Sequence, residues 1–292
     1  MSERFETRLP VSDVFLNIVE EGTGPTVICL HGFPEFACSW AEVATYITPE
    51  CHVVIPDQRG FGRSDMPSDV SAYTLDALVD DIIGLIRFLD VGPVTLVGHD
   101  WGGAVAWALA QRAPQLLNGL MVINGPHPTL FAHLLRADPV QRTAAAYIDL
   151  LCSADAENIL SALNFSILFE IFEGVLSPEV YAQHQANYAR PDALRSMLNW
   201  YRAQFSRGPT ALTPALTTKI KVPTLVLWGD QDQMLLPSNL EGLSSYVEEL
   251  TIQSVPQAGH WIHHQQPQLV GETILAWVKR CQGHETSQYR GL

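Results

Sequence analysis

The sequence predicts an α/β architecture: a mostly parallel sheet with helices on both faces and a helical lid inserted before the last strands. Short, wholly apolar runs alternate with helix-like stretches up to residue 125 and resume at 222. Strands without a polar face belong to a sheet that is covered on both sides. The residues in between are almost all helix-like and strand-poor. A glycine-dense turn at 98–103 marks one strand's C-terminal end, the edge at which open α/β sheets bind ligands.

The elements follow in order. VFLNIVEEG (14–22) and TVICLHG (26–32) read as strands separated by the turn-forming TGP. Phe36, Trp40, Val43 and Ile47 then recur at helical spacing, and CHVVIPD (51–57) is a short buried strand before the glycine-rich loop QRGFGRSD. Over residues 74–90 the apolar residues Leu75, Leu78, Val79, Ile82, Ile83, Ile86 and Leu89 line one helical stripe, with Thr74 placed to cap it. PVTLVGHD and LLNGLMVING are strands on either side of the helix WGGAVAWALAQR. The inserted block carries ENILSALNFSILFEIF, PEVYAQHQANYA and DALRSMLNWYRAQF as helices, and its Phe165, Leu168, Phe169, Ile171, Phe172 and Met197 either line an apolar pocket or pack the lid on the core. VPTLVLWGD, ELTIQSVP and the helix PQLVGETILAWVKR close the fold, and the polar QGHETSQYRGL is expected to fray. The predicted boundaries are a core of 1–126 and 215–292 and a lid of 127–214.

Composition narrows the function. Apolar residues make up 47% and charged residues 16% of 292, enough for a sizeable core and too little charge for disorder. Seventeen basic against thirty-one acidic residues leave −14, which argues against nucleic acid or an anionic membrane as partner. MSERFETRLP has no secretory apolar stretch, and no run reaches the roughly 18–20 apolar residues that span a bilayer. Cys29, Cys38, Cys51, Cys152 and Cys281 are odd in number and lack a C-x-x-C spacing, as expected of free thiols in the reducing cytoplasm.

Gly98, Gly102 and Gly103 permit a sharp strand-to-helix turn with Asp100 at its apex. A helix N-terminus there favours the carboxylate form, so Asp100 is a candidate nucleophile, with simple helix capping as the alternative. Such a nucleophile needs a histidine oriented by an acid, in the chain order nucleophile, acid, histidine. Asp230 and Asp232 follow one late strand, and His260 follows the last, while His263 and His264 open the closing helix and are expected to face solvent.

HGFPE, DQRGFGRSD, GHDWGG, LWGDQD and AGHW, in this order and spacing, resemble the α/β-hydrolase fold over about residues 10–281. More narrowly they resemble its epoxide hydrolase and dehalogenase branch, where the nucleophile is aspartate. The epoxide hydrolases are the nearer family, through His31-Gly32-Phe33-Pro34 and the lid motif Asn199-Trp200-Tyr201-Arg202. The resemblance implies Tyr201 as a donor to the epoxide oxygen and Tyr147 as its partner, with Tyr181 and Tyr188 also in the lid. It further implies Asp232 as the acid, the Phe33 and Trp101 N–H groups as an oxyanion hole, and Phe33, Pro34, Trp101 and Trp200 around the substrate.

The rival readings differ at named positions. Haloalkane dehalogenases carry a polar residue where Phe33 stands, and some place the acid where this chain has Asn124. Haloacetate dehalogenases follow the nucleophile with arginines, whereas Trp101 and Ala104-Val105 occupy that stretch, leaving Trp200 and Arg202 to engage an acid. A non-catalytic binding protein of this fold would be expected to have lost one of Asp100, His260 and Asp232. The expected partners are a small-molecule epoxide and water, without cofactor, metal, nucleic acid or membrane; the oligomeric state, a homodimer included, stays open.

Overall fold

The computed structural model describes residues 4–212 and 218–288, so the lid boundary drawn at 214/215 lies outside the described residues. The chain opens with β1 (Arg4–Pro10), β2 (Phe15–Glu21) and β3 (Thr26–Leu30). There follow α1 (Ala41–Ile47), β4 (His52–Asp57), α2 (Leu75–Leu89), β5 (Val94–His99), α3 (Trp101–Arg112) and β6 (Leu117–Ile123). Between β6 and the next strand come α4 (Pro128–Ala137), α5 (Pro139–Ala144), α6 (Tyr147–Cys152), α7 (Ala156–Glu170), α8 (Pro178–Tyr188) and α9 (Ala193–Phe205). The fold closes with β7 (Thr224–Gly229), β8 (Leu250–Val255), α10 (Ile262–Gln265) and α11 (Pro267–Gln288).

The strands form one eight-stranded sheet in the order β1-β2-β4-β3-β5-β6-β7-β8. Strand β2 runs antiparallel to both neighbours, and the pairs from β4 to β8 are parallel. Successive side chains of an inner strand enter opposite cores. Ile28 and Leu30 join one apolar cluster while Val27 and Cys29 join the other, and Leu120 and Val122 are likewise split from Met121 and Ile123. That alternation is the physical reason these strands carry no polar face.

Strand β1 is the element that the sequence reading passed over. RFETRLP is exposed along nearly its whole length and pairs with β2 from Arg4↔Glu21 to Pro10↔Phe15. Its charged residues suit a sheet edge, where they discourage pairing with another chain. The stretch read as one helix over ENILSALNFSILFEIF is broken: Ala162–Phe165 leave helical geometry, and Leu163, Asn164 and Phe165 take positive φ. Past the break, Phe165 and Phe169 both reach the Tyr188 ring, at 5.7 and 5.5 Å. The closing helix continues through Gln288, beyond the point where fraying was expected.

Helix α2 ties the loop after β4 to the core. Thr74 Oγ1 accepts from the Ala77 N–H at 3.4 Å, as the capping pattern predicts. On its inner face Asp81 takes two hydrogen bonds from the buried Arg59, from Nε at 2.8 Å and Nη2 at 2.7 Å. A buried guanidinium needs such a bidentate partner, and the pair anchors the loop that the inserted helices rest on. The Trp200 indole N–H donates to the Arg59 carbonyl at 2.8 Å. Among the described residues no helix is long and apolar enough to cross a membrane.

Candidate active site

Strand β5 ends at His99 and α3 begins at Trp101, leaving Asp100 alone at the turn with φ 50° and ψ −117°. A side-chain-bearing residue holds such a conformation only where its surroundings enforce it. Two glycines make room. A Cβ on Gly32 would sit 2.5 Å from Asp100 Cβ and Oδ1, and one on Gly102 would sit 2.4 Å from the Leu30 carbonyl oxygen. The Asp100 carboxylate can therefore lie against the turn after β3, where the Phe33 N–H donates to Oδ1 at 2.9 Å. Burial pushes the Asp100 carboxyl up, opposed by His260, His99 and the N–H groups of Phe33 and Trp101.

His260 Nε2 faces Asp100 Oδ2 at 3.8 Å, and Nδ1 donates to Asp232 Oδ2 at 2.6 Å. Burial alone would lower the imidazole, but Asp232 and then Asp100 lift it to about 9. Asp232 accepts on every side: Met234 and Leu235 N–H donate to Oδ1 at 2.9 Å each, and Asn124 Nδ2 donates to Oδ2 at 2.8 Å. Although burial raises its carboxyl, His260 and these donors outweigh that and hold Asp232 below the usual range. Asn124 is braced in turn, its Oδ1 accepting from the Gly229 N–H at 2.9 Å. Asp232→Asn is therefore expected to cut kcat at least about 100-fold by losing the imidazole's orientation and counter-charge. Asp230→Asn should stay near wild type, and the reverse pattern in steady-state kinetics would exchange the two assignments.

A cavity of about 390 Å³ lies over the turn, lined by Asp100, Trp101, Tyr147, Tyr201, Phe131 and Phe205 among others. The Tyr147 and Tyr201 rings are 6.4 Å apart at 80°. Burial and the Asp100 charge push both phenols up, so they remain protonated donors at neutral pH. The other lid tyrosines are elsewhere: the Tyr188 hydroxyl donates to the Pro34 carbonyl at 2.7 Å, and Tyr181 stacks on Phe169 at 3.8 Å. Trp200, Phe33 and Pro34 are not among the lining residues. Trp200 instead packs edge-on behind Trp101 at 5.7 Å, and Phe33 does so against Tyr201 at 5.1 Å. Arg202 points to Glu157 and the Ser153 carbonyl, at 2.8 and 3.2 Å. None of Phe165, Leu168, Phe169, Ile171, Phe172 and Met197 is among the residues that line the cavity; Leu168 and Met197 belong to the apolar core, Phe165 and Phe169 pack against it, and Phe172 packs on Trp261.

Behind the turn lies a cluster that the sequence reading missed. Glu35 is fully buried, and its carboxylate meets His99 Nδ1 at 2.8 Å, His263 Nε2 at 2.7 Å and His264 Nε2 at 2.9 Å. His263 and His264 thus do not face solvent, because a buried carboxylate has to be satisfied and these imidazoles satisfy it. Burial would raise Glu35, but the histidines hold it well below the carboxylate range. His99 Nε2 also lies 3.0 Å from the His260 carbonyl, linking the cluster to the loop that carries His260. A glutamate set between Pro34 and Phe36 in a buried stretch was the available signal. Glu35, His263 and His264 offer three ligand atoms within 4.8 Å of one another, yet both imidazoles are already engaged with that carboxylate.

The sheet order, the strained aspartate turn between β5 and α3, and the histidine after β8 define a hydrolase of the α/β-hydrolase fold. The family model described as the alpha/beta hydrolase fold matches residues 25–267. The AB hydrolase superfamily protein YfhM of Bacillus subtilis (strain 168) is 34% identical over 263 residues, covering 88% of this chain and 91% of that one. Epoxide hydrolase 4 of Mus musculus is 33% identical over 269 residues, covering 87% of this chain and 73% of its own. A solved structure of an epoxide hydrolase variant from Bacillus megaterium, complexed with its naphthyloxy-propanediol product, superposes with a TM-score of 0.87 at 28% identity, covering 94% of this chain and 100% of that one. The chain belongs to the epoxide hydrolase branch of the α/β-hydrolase family.

Proposed function

We propose that the protein converts an apolar epoxide to a vicinal diol through an alkyl ester on Asp100. The observation that carries this reading is an aspartate, not a serine, at the turn, facing two protonated phenols across one cavity. A serine suits substrates that bring their own carbonyl. An aspartate that attacks an sp³ carbon creates an ester whose carbonyl belongs to the enzyme. The Asp100 carboxylate attacks one ring carbon, the C–O bond breaks, and the departing oxygen takes a proton donated by Tyr147 or Tyr201. That donation acts on charge which exists only as the ring opens, so it lowers the barrier without tightening substrate binding.

His260 then removes a proton from water, whose oxygen attacks the ester carbonyl. The N–H groups of Phe33 and Trp101, which already lean on the Asp100 carboxylate, hold the oxyanion. Collapse breaks the bond between the carbonyl carbon and the ester oxygen; the proton on His260 passes to that departing oxygen, the proton of the added hydroxyl returns to the phenolate, and the diol leaves with Asp100 restored as a carboxylate. Alkylation cancels the Asp100 charge, one of the groups that lift His260, so the imidazole holds its proton less tightly and more of it stands neutral, free to accept one from water, when the ester is present. The inserted helices, drawn from the sequence as residues 127–214, serve as the lid that supplies the phenols. The aryloxy diol held by the relative, together with Phe131 and Phe205 in this cavity, supports an apolar or aryl substrate. Incubation with styrene oxide and with chloroacetate in parallel tests the reading. Diol from the first without chloride from the second is expected, and chloride release without diol would replace it with the dehalogenase reading.

A further inference from the structure

The ionisable side chains that line the cavity are acids. Its floor is Asp100, and among the residues that line its mouth are Thr74, Gln204 and Asp76, whose side chain is 90% exposed. Among the described lining residues there is no lysine or arginine. Nearby guanidinium groups are turned to other partners. Arg112 is held by Asp80 and the Asp76 carbonyl, with its Nη1 3.7 Å from Asp76 Oδ1, so this one guanidinium faces two carboxylates; Arg202 is held by Glu157, and Arg136 by the carbonyls of Thr210 and Leu212. The interior between the two acids is apolar, with Ile148, Phe205 and Leu235 in the wall.

From this arrangement we infer that the cavity admits neutral or cationic epoxides and turns away those carrying a carboxylate, with Asp76 setting part of that selection at the mouth. The inference rests on the proposal that Asp100 opens epoxides. A carboxylate drawn into this space loses its hydration and finds no cation in the lining to replace it, since the imidazole beneath, His260, is already taken up by Asp232 and Asp100. It also faces Asp100, which must be ionised to attack, across a medium that screens poorly. The N-terminus of α2 opens at the mouth and would attract an anion by its dipole, but Asp76 in the first turn already supplies the negative charge there. The overall charge of −14 contributes little, because fields beyond about 8 Å are screened at physiological salt. The selection therefore belongs to two named side chains.

The para-carboxylate of styrene oxide and its methyl ester form a matched pair for the test. The acid is expected to show a kcat/KM lower than the ester's by roughly fiftyfold or more, since like charges at close range are costly. Added salt should raise kcat/KM for the acid and scarcely change it for the ester. Asp76→Asn and Asp76→Lys should narrow the ratio between the two substrates in that order. Turnover of the ester supports the epoxide-opening reading by itself; failure to open either compound would overturn that reading and this one together. If the ester is turned over and the acid is turned over as efficiently, charge selection alone is overturned. A ratio that ignores both salt and Asp76→Lys would remove Asp76 from it.

Discussion

Asp100→Ala is expected to abolish turnover, whereas His260→Gln should stop the reaction halfway and leave the substrate as an ester on Asp100. The two outcomes differ because alkylation needs only the carboxylate and an electrophilic carbon, and hydrolysis needs a base for water. With His260 Nε2 at 3.8 Å from Asp100 Oδ2, a glutamine amide occupies much the same space but cannot take a proton. Loss of one member of such a unit costs about as much as loss of the whole, on the order of 10⁴-fold or more in kcat. Intact-mass spectrometry of the His260 variant after incubation with substrate should show one added substrate mass. An unmodified mass, under conditions in which the wild type turns over, would sink the two-step scheme.

The second large effect is at the phenols. Losing one donor to the developing alkoxide should cost about 2–4 kcal/mol, or about 30- to 1,000-fold in the alkylation rate. Tyr201→Phe alone should therefore leave measurable activity, because Tyr147 lines the same cavity and remains protonated. Tyr147→Phe combined with Tyr201→Phe should remove nearly all ring opening, since an unprotonated alkoxide leaves poorly. Only two hydroxyls are lost, so circular dichroism and the melting temperature should stay close to wild type. If the double variant opened epoxides near the wild-type rate, both rings would be packing residues and the leaving group would need another donor.

The inner strands were readable because burial on both faces excludes polar residues from them, and α2 was readable because its stripe and its cap agree. Strand β1 was not, since an exposed edge strand needs only backbone pairing with β2, and nothing in RFETRLP has to be apolar. At the candidate site, Asp100, His260 and Asp232 each follow a β-strand, where a local pattern singles them out as candidates. The supports are another matter. Asn124 looked like an empty acid position, and only the fold brings its amide to Asp232. His263 and His264 looked like surface residues because the carboxylate they serve, Glu35, is 228 and 229 positions away. Trp200 sits in the lid motif as expected, yet its N–H is used on Arg59 instead of facing the cavity. Local sequence shows which residues can react; it does not show which distant group holds them still.

The span of the Glu35 cluster bears on the order in which the molecule assembles. Its local partner is the Gly32 N–H at 3.3 Å, while His99 is 64 residues on and the other two histidines arrive with α10. Contacts of such separation form late, after the entropy of closing a long loop has been overcome. Until then Glu35 must keep its water, so the turn after β3 stays open and the Phe33 N–H has no settled place against Asp100. In the native fold the same C-terminal segment that covers the carboxylate also carries His260, so the two are expected to be completed together. A chain shortened just after β8 would keep the residues of all eight strands and lose both His260 and two partners of Glu35, His263 and His264.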